Sequence, residues 1–240
     1  MIEIEDRPLE WYVDALKRKE YFSFPRFGDG EWFAIIRGGG TMSARLQKID
    51  HKIQRDMTEA LLRFASTPGI VFGMQRNVMR RRRLRESVTR FVAEHKLGIS
   101  WVLADVLHFA SRDGLLYPLL EQLRKMKVVV IGPCFLLSGQ NELFNYHAFV
   151  GVPPRECYSS KAQIMSDILS IHRETSEDMV YSFSCGLLAE TLILELHERM
   201  SGNFLIDVGS LWDVFCGRRS RGYTMSEKYT DDIMKRNLAG

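Results

Sequence analysis

The sequence predicts a three-layer α/β fold of Rossmann-like type, in which helices cover both faces of a mainly parallel sheet. Three observations indicate this. Stretches of strand character alternate with stretches of helical period between residues 70 and 213. Residues 127–133 read Lys-Val-Val-Val-Ile-Gly-Pro, a β-branched run typical of a parallel strand that is buried on both faces. The chain has 240 residues and is 45% hydrophobic, enough for one well-buried core, so a single domain over residues 1–240 is expected.

Composition narrows the cellular setting and the class of protein. The net charge is only +3, so overall composition does not demand a nucleic-acid or membrane partner. The four cysteines, Cys134, Cys157, Cys185 and Cys216, form no C-x-x-C pair, which disfavours a zinc site or a disulfide framework. The N-terminus lacks a basic region followed by an apolar run, and no stretch approaches about eighteen apolar residues. We expect a cytoplasmic protein that is neither secreted nor embedded in a membrane.

The first quarter of the chain is expected to form helices around one short strand. Residues 8–19 have the pattern of an amphipathic helix, residues 21–27 alternate like a strand, and residues 32–36 favour a short helix. Glycines at residues 38–40 then interrupt the pattern. Three glycines can cradle a phosphate, but without a following Lys-Ser they favour a lid or a linker. A helix with regular apolar spacing is predicted over residues 43–65.

The rest of the chain is expected to alternate strand and helix as far as residue 213. A polar tail follows residue 223 and gives no structural signal. The predicted strands are residues 70–72, 127–133, 148–152, 178–183 and 203–206. The predicted helices are residues 87–94, 101–110, 113–125, 162–172 and 187–199.

An acidic turn at residues 26–31, Arg-Phe-Gly-Asp-Gly-Glu, is the first candidate site. Asp29 and Glu31 lie two residues apart, and the glycines beside them allow the sharp bend that would aim both carboxylates at one hard divalent cation. Arg26 would hold a phosphate by its planar fork. The structural alternative is a turn in which Asp29 or Glu31 caps a helix that starts at Trp32.

Three predicted strands end in small or acidic residues, which form a second candidate site. In open α/β sheets ligands bind at the carboxyl edge, and amides at a helix N-terminus hold diphosphates. Tight packing of a helix on a strand would select the same small residues. The three strand ends are Gly132-Pro133, Ser184-Cys185-Gly186 and the segment Asp207-Val208-Gly209-Ser210, which leads to Asp213.

Several segments of the sequence resemble those of the nucleotide-sugar glycosyltransferases of the GT-D fold, whose signature is an Asp-X-Glu motif. The segments that carry the resemblance are residues 26–31, residues 130–133, Val152-Pro153 with Tyr158, residues 182–186, and residues 206–210 with Asp213. The resemblance implies a Rossmann-like domain, Mn²⁺ or Mg²⁺ held by Asp29 and Glu31, and a UDP-type sugar donor. It is closer to compact versions associated with phage and environmental sequences. The chain departs from the usual bacterial members at residues 210–213 and in its arginine run, so their protein-glycan acceptors are not implied.

Sugar transfer needs stabilisation of the leaving diphosphate and a base for the acceptor hydroxyl. The base candidates are Asp105, His108, Asp207 and Asp213. Asp105 and His108 would share one helix face, where a buried hydrogen-bonded pair is the structural alternative. Asp105 is the favoured base, with Asp207 and Asp213 shaping the donor site. The predicted donor-binding residues are Arg26, Gly132, Pro133, Ser184, Gly186, Asp207, Gly209 and Ser210.

Residues 76–85 contain six arginines in ten residues, which indicates either a solvated helix face or a polyanion-binding surface. With Arg218, Arg219 and Arg221, they suggest that the acceptor is a hydroxymethylated pyrimidine in DNA. The predicted nucleic-acid contacts are Arg80, Arg81, Arg82, Arg83 and Arg221. Trp32, Trp212 or Tyr223 would stack against the unstacked base.

Four other functions compete with this hypothesis. A glycan or glycoprotein acceptor needs no arginines, and a non-catalytic nucleotide-binding module would bind the same ligands without turnover. A metal-dependent phosphoesterase is disfavoured because the six histidines form no cluster with acids. A Rossmann dehydrogenase is disfavoured because no G-x-G-x-x-G follows a first strand.

Overall fold

The computed structural model describes residues 2–37, 40–41, 47–175 and 178–240. Its strands are β1 (Ile4–Glu5), β2 (Ser23–Phe24), β3 (Arg26–Phe27), β4 (Gly40–Thr41), β5 (Lys48–Ile49), β6 (Phe72–Met74), β7 (Trp101–Leu103), β8 (Lys127–Gly132), β9 (Tyr146–Gly151), β10 (Met179–Phe183) and β11 (Phe204–Asp207). Gly38 and Gly39 of the predicted glycine lid or linker, and residues 43–46 at the start of the predicted helix 43–65, lie outside the described residues.

Eleven helices accompany these strands in the described part of the chain. They are α1 (Leu9–Arg18), α2 (Asp29–Arg37), α3 (His51–Phe64), α4 (Arg76–Arg80), α5 (Arg82–Glu94), α6 (Val106–Asp113), α7 (Tyr117–Leu123), α8 (Lys161–Thr175), α9 (Leu188–His197), α10 (Gly222–Met225) and α11 (Asp231–Ala239). Short 3-10 helices form at Cys134–Gly139, Cys157–Ser160 and Asp213–Cys216. No helix among the described residues is long and apolar enough to cross a membrane.

Parallel strands form two sheets, in the orders β1-β7-β6-β3 and β2-β11-β10-β8-β9. The two sheets meet at Pro25, which separates β2 from β3 because proline has no N–H for a ladder hydrogen bond. The interrupted strand lies centrally: Ser23 pairs with Ile70 on one side and with Leu205 on the other. The residues on either side of Pro25 therefore join the two sheets into one layer.

Hydrophobic cores on both faces of this layer make the three-layer arrangement. Side chains that alternate along β8 go to different cores: Val129 and Ile131 pack with α3, α8 and α9, whereas Val128 and Val130 pack with α1, α6 and α7. Both cores draw on strands with two apolar faces, which is the pattern expected of a covered parallel sheet. The predicted fold class is confirmed.

The paired strands end at matching positions in the register, so the loops that follow them lie at one edge of the sheet. Phe183 pairs with Ile131 on one side and with Asp207 on the other. Met74 pairs with both Phe27 and Leu103. The chain therefore leaves β3, β6, β7, β8, β10 and β11 at the same carboxyl edge.

Several element boundaries differ from those predicted. Helix α2 begins at Asp29, not at Trp32, so both acids of the Asp-X-Glu motif are helical. Helix α3 begins at His51, where the Asp50 side chain accepts a hydrogen bond from Ile53 N. The predicted helix at residues 101–110 is wrong in its first part, since residues 101–103 form β7.

The polar tail is also more ordered than predicted. Helix α11 packs on α6 and α7, and Asn237 is fully buried there. Its side chain accepts from Leu116 N and donates to the Ser111 carbonyl. A single buried amide that satisfies two backbone groups thus fixes a helix that has little apolar sequence of its own.

Candidate active site at the carboxyl edge of the sheet

Arg26 is the centre of the site. It begins β3 directly after Pro25 and is only 3% exposed. Its Nε donates to Asp207 Oδ2 at 2.9 Å, and Asp207 Oδ1 accepts from Gly209 N at 2.7 Å. Its Nη1 donates to the Ala104 carbonyl at 3.4 Å. One buried guanidinium therefore connects the carboxyl ends of the central strand, of β11 and of β7.

Buried carboxyl groups surround this guanidinium. Removal from water raises the pKa of Glu31 to about 7, although Gly28 N donates to its Oε2 at 2.8 Å. Glu190 is 2% exposed, and its Oε2 has no hydrogen-bond partner among the described residues. Burial, followed by the nearby charges of Glu31 and Asp207, raises the pKa of Glu190 well above its usual range. Three acids therefore lie close to a single buried cation.

Glu190 was missed by the sequence reasoning. It lies in the first turn of α9, within the run Leu187-Leu188-Ala189-Glu190-Thr191-Leu192, which reads as a core helix. The signal was the acid itself, since a carboxylate is almost never fully buried without a partner. An isolated acid in an otherwise apolar helix behind a strand end marks a candidate site residue.

The two acids of the motif have different partners. Glu31 turns back to the amide of Gly28, as an acid at the third helical position does in a capping box. Asp29 accepts from Arg81 Nη1 at 2.7 Å. Side chains two residues apart on a helix do not face each other. The capping interpretation therefore holds for Glu31, and the two carboxylates do not point to one position in this conformation.

His108 and Asp105 do not form the hydrogen-bonded pair that was the structural alternative. Asp105 Oδ2 accepts from Arg76 N at 2.7 Å, whereas His108 Nδ1 lies 3.1 Å from Arg26 Nη1. Because a guanidinium can only donate, Nδ1 accepts and the proton of the neutral ring is on Nε2. Burial, followed by the charges of Arg26 and Arg221, holds the pKa of His108 well below its usual range. Nε2 has no partner among the described residues.

The glycine-bearing strand ends lie where predicted. Gly186 has φ +57° and no atom within 4 Å of the position that a Cβ would occupy, so its backbone faces open space after β10. Gly209 has φ +55°, and a Cβ there would collide with Arg26 Nη2. Ser184 Oγ, between β10 and Gly186, has no partner in the described part of the chain. Pro133 follows Gly132 and precedes the 3-10 helix Cys134–Gly139.

Ser210 and Asp213 continue this edge after β11. Ser210 Oγ accepts from Arg221 Nε. Burial raises the pKa of the Asp213 carboxyl, although a hydrogen bond from Ser220 and the charge of Arg221 oppose the shift. A carboxylate with a raised pKa binds a proton more readily near neutral pH.

The arginine run adjoins this edge, because α4 follows β6 directly. Arg80, Arg81, Arg82 and Arg83 are all exposed. Arg219 is instead structural, since its Nη1 donates to the Thr224 and Tyr229 carbonyls. The solvated-face interpretation and the polyanion-binding interpretation both remain consistent with this placement.

Two of the three aromatic residues predicted to stack on a base are in the core. Trp32 and Trp212 are fully buried. Their indole N–H groups donate to Met74 Sδ and Ser182 Oγ. Tyr223 is partly exposed and lies against His108, with ring centroids 6.3 Å apart. Of the three, only Tyr223 is partly exposed.

A divalent cation fits the charge of this site. The described residues contain no group of three or more His, Cys, Asp or Glu side chains placed to hold a metal ion. Magnesium-type ions, however, need only one or two carboxylates when substrate phosphates supply other ligands. Glu31, Glu190 and Asp207 outnumber the buried cation Arg26, and Glu190 Oε2 is without a partner. The site therefore has an excess of acidic groups that a cation would neutralise.

Comparison with known proteins places the fold. No protein-family model matches the chain, and no curated protein matches it. Among solved structures, it is similar to a new glycosyltransferase of domain of unknown function 1792 from Streptococcus sanguinis, with 17% identity, a TM-score of 0.61, and coverage of 89% of this chain and 84% of that one. A second structure of this domain, described as a distinct glycosyltransferase fold, gives 15% identity and a TM-score of 0.58, covering 89% and 80%. The chain has a glycosyltransferase fold of the GT-D type.

Proposed function

We propose that the protein is a metal-dependent glycosyltransferase that moves a sugar from a UDP-type nucleotide sugar to an acceptor hydroxyl. The observation that carries the proposal is the buried Arg26–Asp207 ion pair at 2.9 Å in a glycosyltransferase fold. Two further buried acids, Glu31 and Glu190, lie beside this pair. A merely structural pair would not need Glu31 and Glu190 beside it, because each adds a costly buried carboxyl group. A site that binds a cation and a diphosphate uses both the acids and the amides of this edge.

Asp29 and Glu31 would hold Mn²⁺ or Mg²⁺ after Asp29 leaves Arg81 and Glu31 leaves the Gly28 amide. The ion would neutralise the charge that develops on the leaving diphosphate. Arg26 binds one oxygen of Asp207, and the other oxygen accepts from the Gly209 amide. Arg26 would thereby stabilise the conformation of the donor-binding edge. The open backbone at Gly186 and the unpartnered Ser184 hydroxyl suit phosphate oxygens. Ser210, whose hydroxyl accepts from Arg221, would contact the donor from the loop that follows β11.

The acceptor hydroxyl needs a base, and the contacts separate the candidates. His108 is unsuited because Arg26 occupies the lone pair on Nδ1 and Nε2 already carries a proton. Asp207 is unsuited because both of its oxygens accept hydrogen bonds. We assign the base to Asp213, with Asp105 as the alternative. Asp213→Asn should abolish transfer and retain donor binding; if Asp105→Asn alone has this effect, the assignment moves to Asp105.

The metal site is tested by substitution of its two acids. Asp29→Asn and Glu31→Gln keep side-chain size and remove charge, so transfer should collapse while the melting temperature barely falls. Asp14→Asn and Glu10→Gln, exposed acids on α1, are the controls. Retained activity per folded molecule together with a large loss of stability would show that the two acids serve only the helix N-terminus.

Donor identity is tested by screening nucleotide sugars with Mn²⁺ for hydrolysis and for protection against melting. UDP with metal should stabilise the fold by RT ln(1 + [L]/Kd), about 2.7 kcal/mol at a hundredfold excess over Kd. Gly186→Ala should weaken this protection, because a methyl group would enter the open backbone cradle. Absence of any shift with every nucleoside diphosphate would overturn the donor assignment and leave only the fold.

For the acceptor, we propose a hydroxymethylated pyrimidine in DNA. Support comes from the exposed arginines on α4 and α5, which lie at the same edge as the site. Duplexes with hydroxymethylcytosine or hydroxymethyluracil are offered with the active donor, and the digested nucleosides are weighed. A sugar mass increment that is lost in the triple variant Arg80→Ser, Arg82→Ser, Arg83→Ser, while donor hydrolysis persists, is the expected result. Donor turnover without DNA retention at low salt would favour a glycan acceptor.

A further inference from the structure

Arg81 is set apart from the other arginines of its run by its backbone and by its contact. It lies at the junction of α4 and α5 with φ −84° and ψ 99°, which is not helical. This break turns its side chain to α2, where Nη1 donates to Asp29 Oδ2 at 2.7 Å. Its neighbour Arg82 pairs within its own helix, with Glu86. Among the described contacts, Arg81 is the link between the arginine run and the acidic motif.

The guanidinium of Arg81 lies where a cation that binds the Asp29 carboxylate would lie. A divalent ion on that oxygen and the positive charge of Arg81 repel each other, so Asp29 cannot hold both at full strength. Arg81 is also free to leave, since its side chain is 62% exposed and that of Asp29 is 31% exposed. An exposed ion pair of this kind exchanges readily with other anions.

We propose that Arg81 is a gate that couples binding of a polyanionic acceptor to binding of the divalent cation at Asp29. Phosphate groups of nucleic acid draw Arg81 away from Asp29, and the released carboxylate then binds the cation more tightly. Because coupling between two ligands is reciprocal, the cation at Asp29 also strengthens the binding of phosphate groups at Arg81. This inference rests on the proposed function, in which Asp29 is a cation ligand.

The test measures Mn²⁺ binding directly, by the electron paramagnetic resonance signal of free Mn²⁺ in equilibrium dialysis. The proteins are wild type, Arg81→Gln and, as a matched control, Arg90→Gln, an exposed arginine on α5 outside the predicted nucleic-acid contacts, each with and without a short unmodified duplex. DNA alone is dialysed as the blank for its own Mn²⁺ binding. Wild type should bind Mn²⁺ about fivefold more tightly with DNA, the equivalent of the roughly 1 kcal/mol that an exposed ion pair contributes at most. Arg90→Gln should behave as wild type.

Arg81→Gln should bind Mn²⁺ with the tighter constant already without DNA, and DNA should add nothing. Arg81→Lys, which keeps the charge, should restore the weaker constant. Equal Mn²⁺ constants in wild type and Arg81→Gln, both abolished by Asp29→Asn, would overturn the gate and leave the metal site standing. Mn²⁺ binding that Asp29→Asn does not change would overturn the proposed function itself.

Discussion

At the amino edge of the sheet, where the strands begin, Asp178 and His197 have protein partners, whereas at the carboxyl edge several buried polar atoms have none among the described residues. Asp178 precedes β10 and accepts from Lys19 and Tyr21. His197 spans two segments, with Nδ1 2.8 Å from Ser23 Oγ and Nε2 3.0 Å from the Pro68 carbonyl. These groups use their hydrogen-bonding capacity within the protein.

The carboxyl edge shows the opposite behaviour. His108 Nε2, Ser184 Oγ and Glu190 Oε2 are buried without a partner among the described residues. Burial raises the pKa of Glu31 and of Glu190 and therefore favours their neutral forms. Unpartnered buried polar atoms cost free energy, and the ligand proposed above would supply the missing partners at this edge. Each of the following substitutions tests whether the two edges differ in this way.

Removal of Arg26 should have the largest effect. Arg26→Met leaves Asp207, Glu31 and Glu190 buried without their cation, and breaking a buried ion pair costs about 3–5 kcal/mol. At roughly 2–4 °C per kcal/mol for a chain of this size, the melting temperature should fall by about 6–20 °C. The amino-edge counterpart, Lys19→Met, opens an exposed ion pair with Asp178 and should barely change the melt. Equal effects at the two edges would contradict the comparison.

Substitution at Gly209 comes next. A methyl group there meets a positive φ and also Arg26 Nη2, which Asp207 prevents from moving away. We expect Gly209→Ala to cost about 2–4 kcal/mol in thermal unfolding. The control is Gly186→Ala, with a similar φ but open space around it, which should cost only about 1 kcal/mol. If Gly186→Ala is as damaging as Gly209→Ala, then Arg26 is not the cause of the difference.

Much of this fold could be predicted from the sequence, because strands and helices follow from the alternation of apolar patterns. The start of α2 could not, since Gly28-Asp29-Gly30 has the composition of a turn, and the contact that caps this helix is the Glu31 side chain on the Gly28 amide. Helix α11 is fixed by the buried side chain of Asn237, a tertiary contact that leaves no local pattern.

The placement of the candidate side chains at the carboxyl edge could be predicted from the sequence, but their contacts could not. Strand ends can be located from sequence, and the level register then brings them together. Which side chains pair depends on distances that no spacing encodes: Arg26 with Asp207 is separated by 181 residues, and Arg81 with Asp29 by 52. Glu190 was hidden because the apolar period of its helix indicated core.

The third substitution, Glu190→Gln, tests the pH dependence of the carboxyl edge in metal-free protein. The pKa of Glu190 is raised in the folded state, so its contribution is fully present below the ordinary value of 4.5 and is lost as pH rises towards the folded pKa. Wild type should therefore lose more stability between pH 5 and pH 8 than Glu190→Gln. Melting in EDTA across this range measures the difference, with Glu198→Gln, an exposed acid beyond the same helix, as control. If stability changes with pH to the same extent in wild type and Glu190→Gln, the pKa of Glu190 is not raised in the folded state, and contacts within the protein stabilise its charged form.

The smallest effect is expected at His197, where the pH dependence has the opposite sign. Burial lowers the pKa of His197 below its ordinary value of 6.5, so the unfolded chain takes up a proton first as pH falls. Its contribution is therefore present above pH 6.5 and is lost below it. The loss is small because Ser23 Oγ can rotate and accept from a protonated Nδ1. His197→Gln should flatten the stability curve between pH 5 and pH 7 by at most a few degrees in melting temperature, measured against His147→Gln, an exposed histidine on β9. If His197→Gln still loses stability as pH falls, another group causes that loss. The pH response of the amino edge would then no longer be opposite in direction to that of the carboxyl edge.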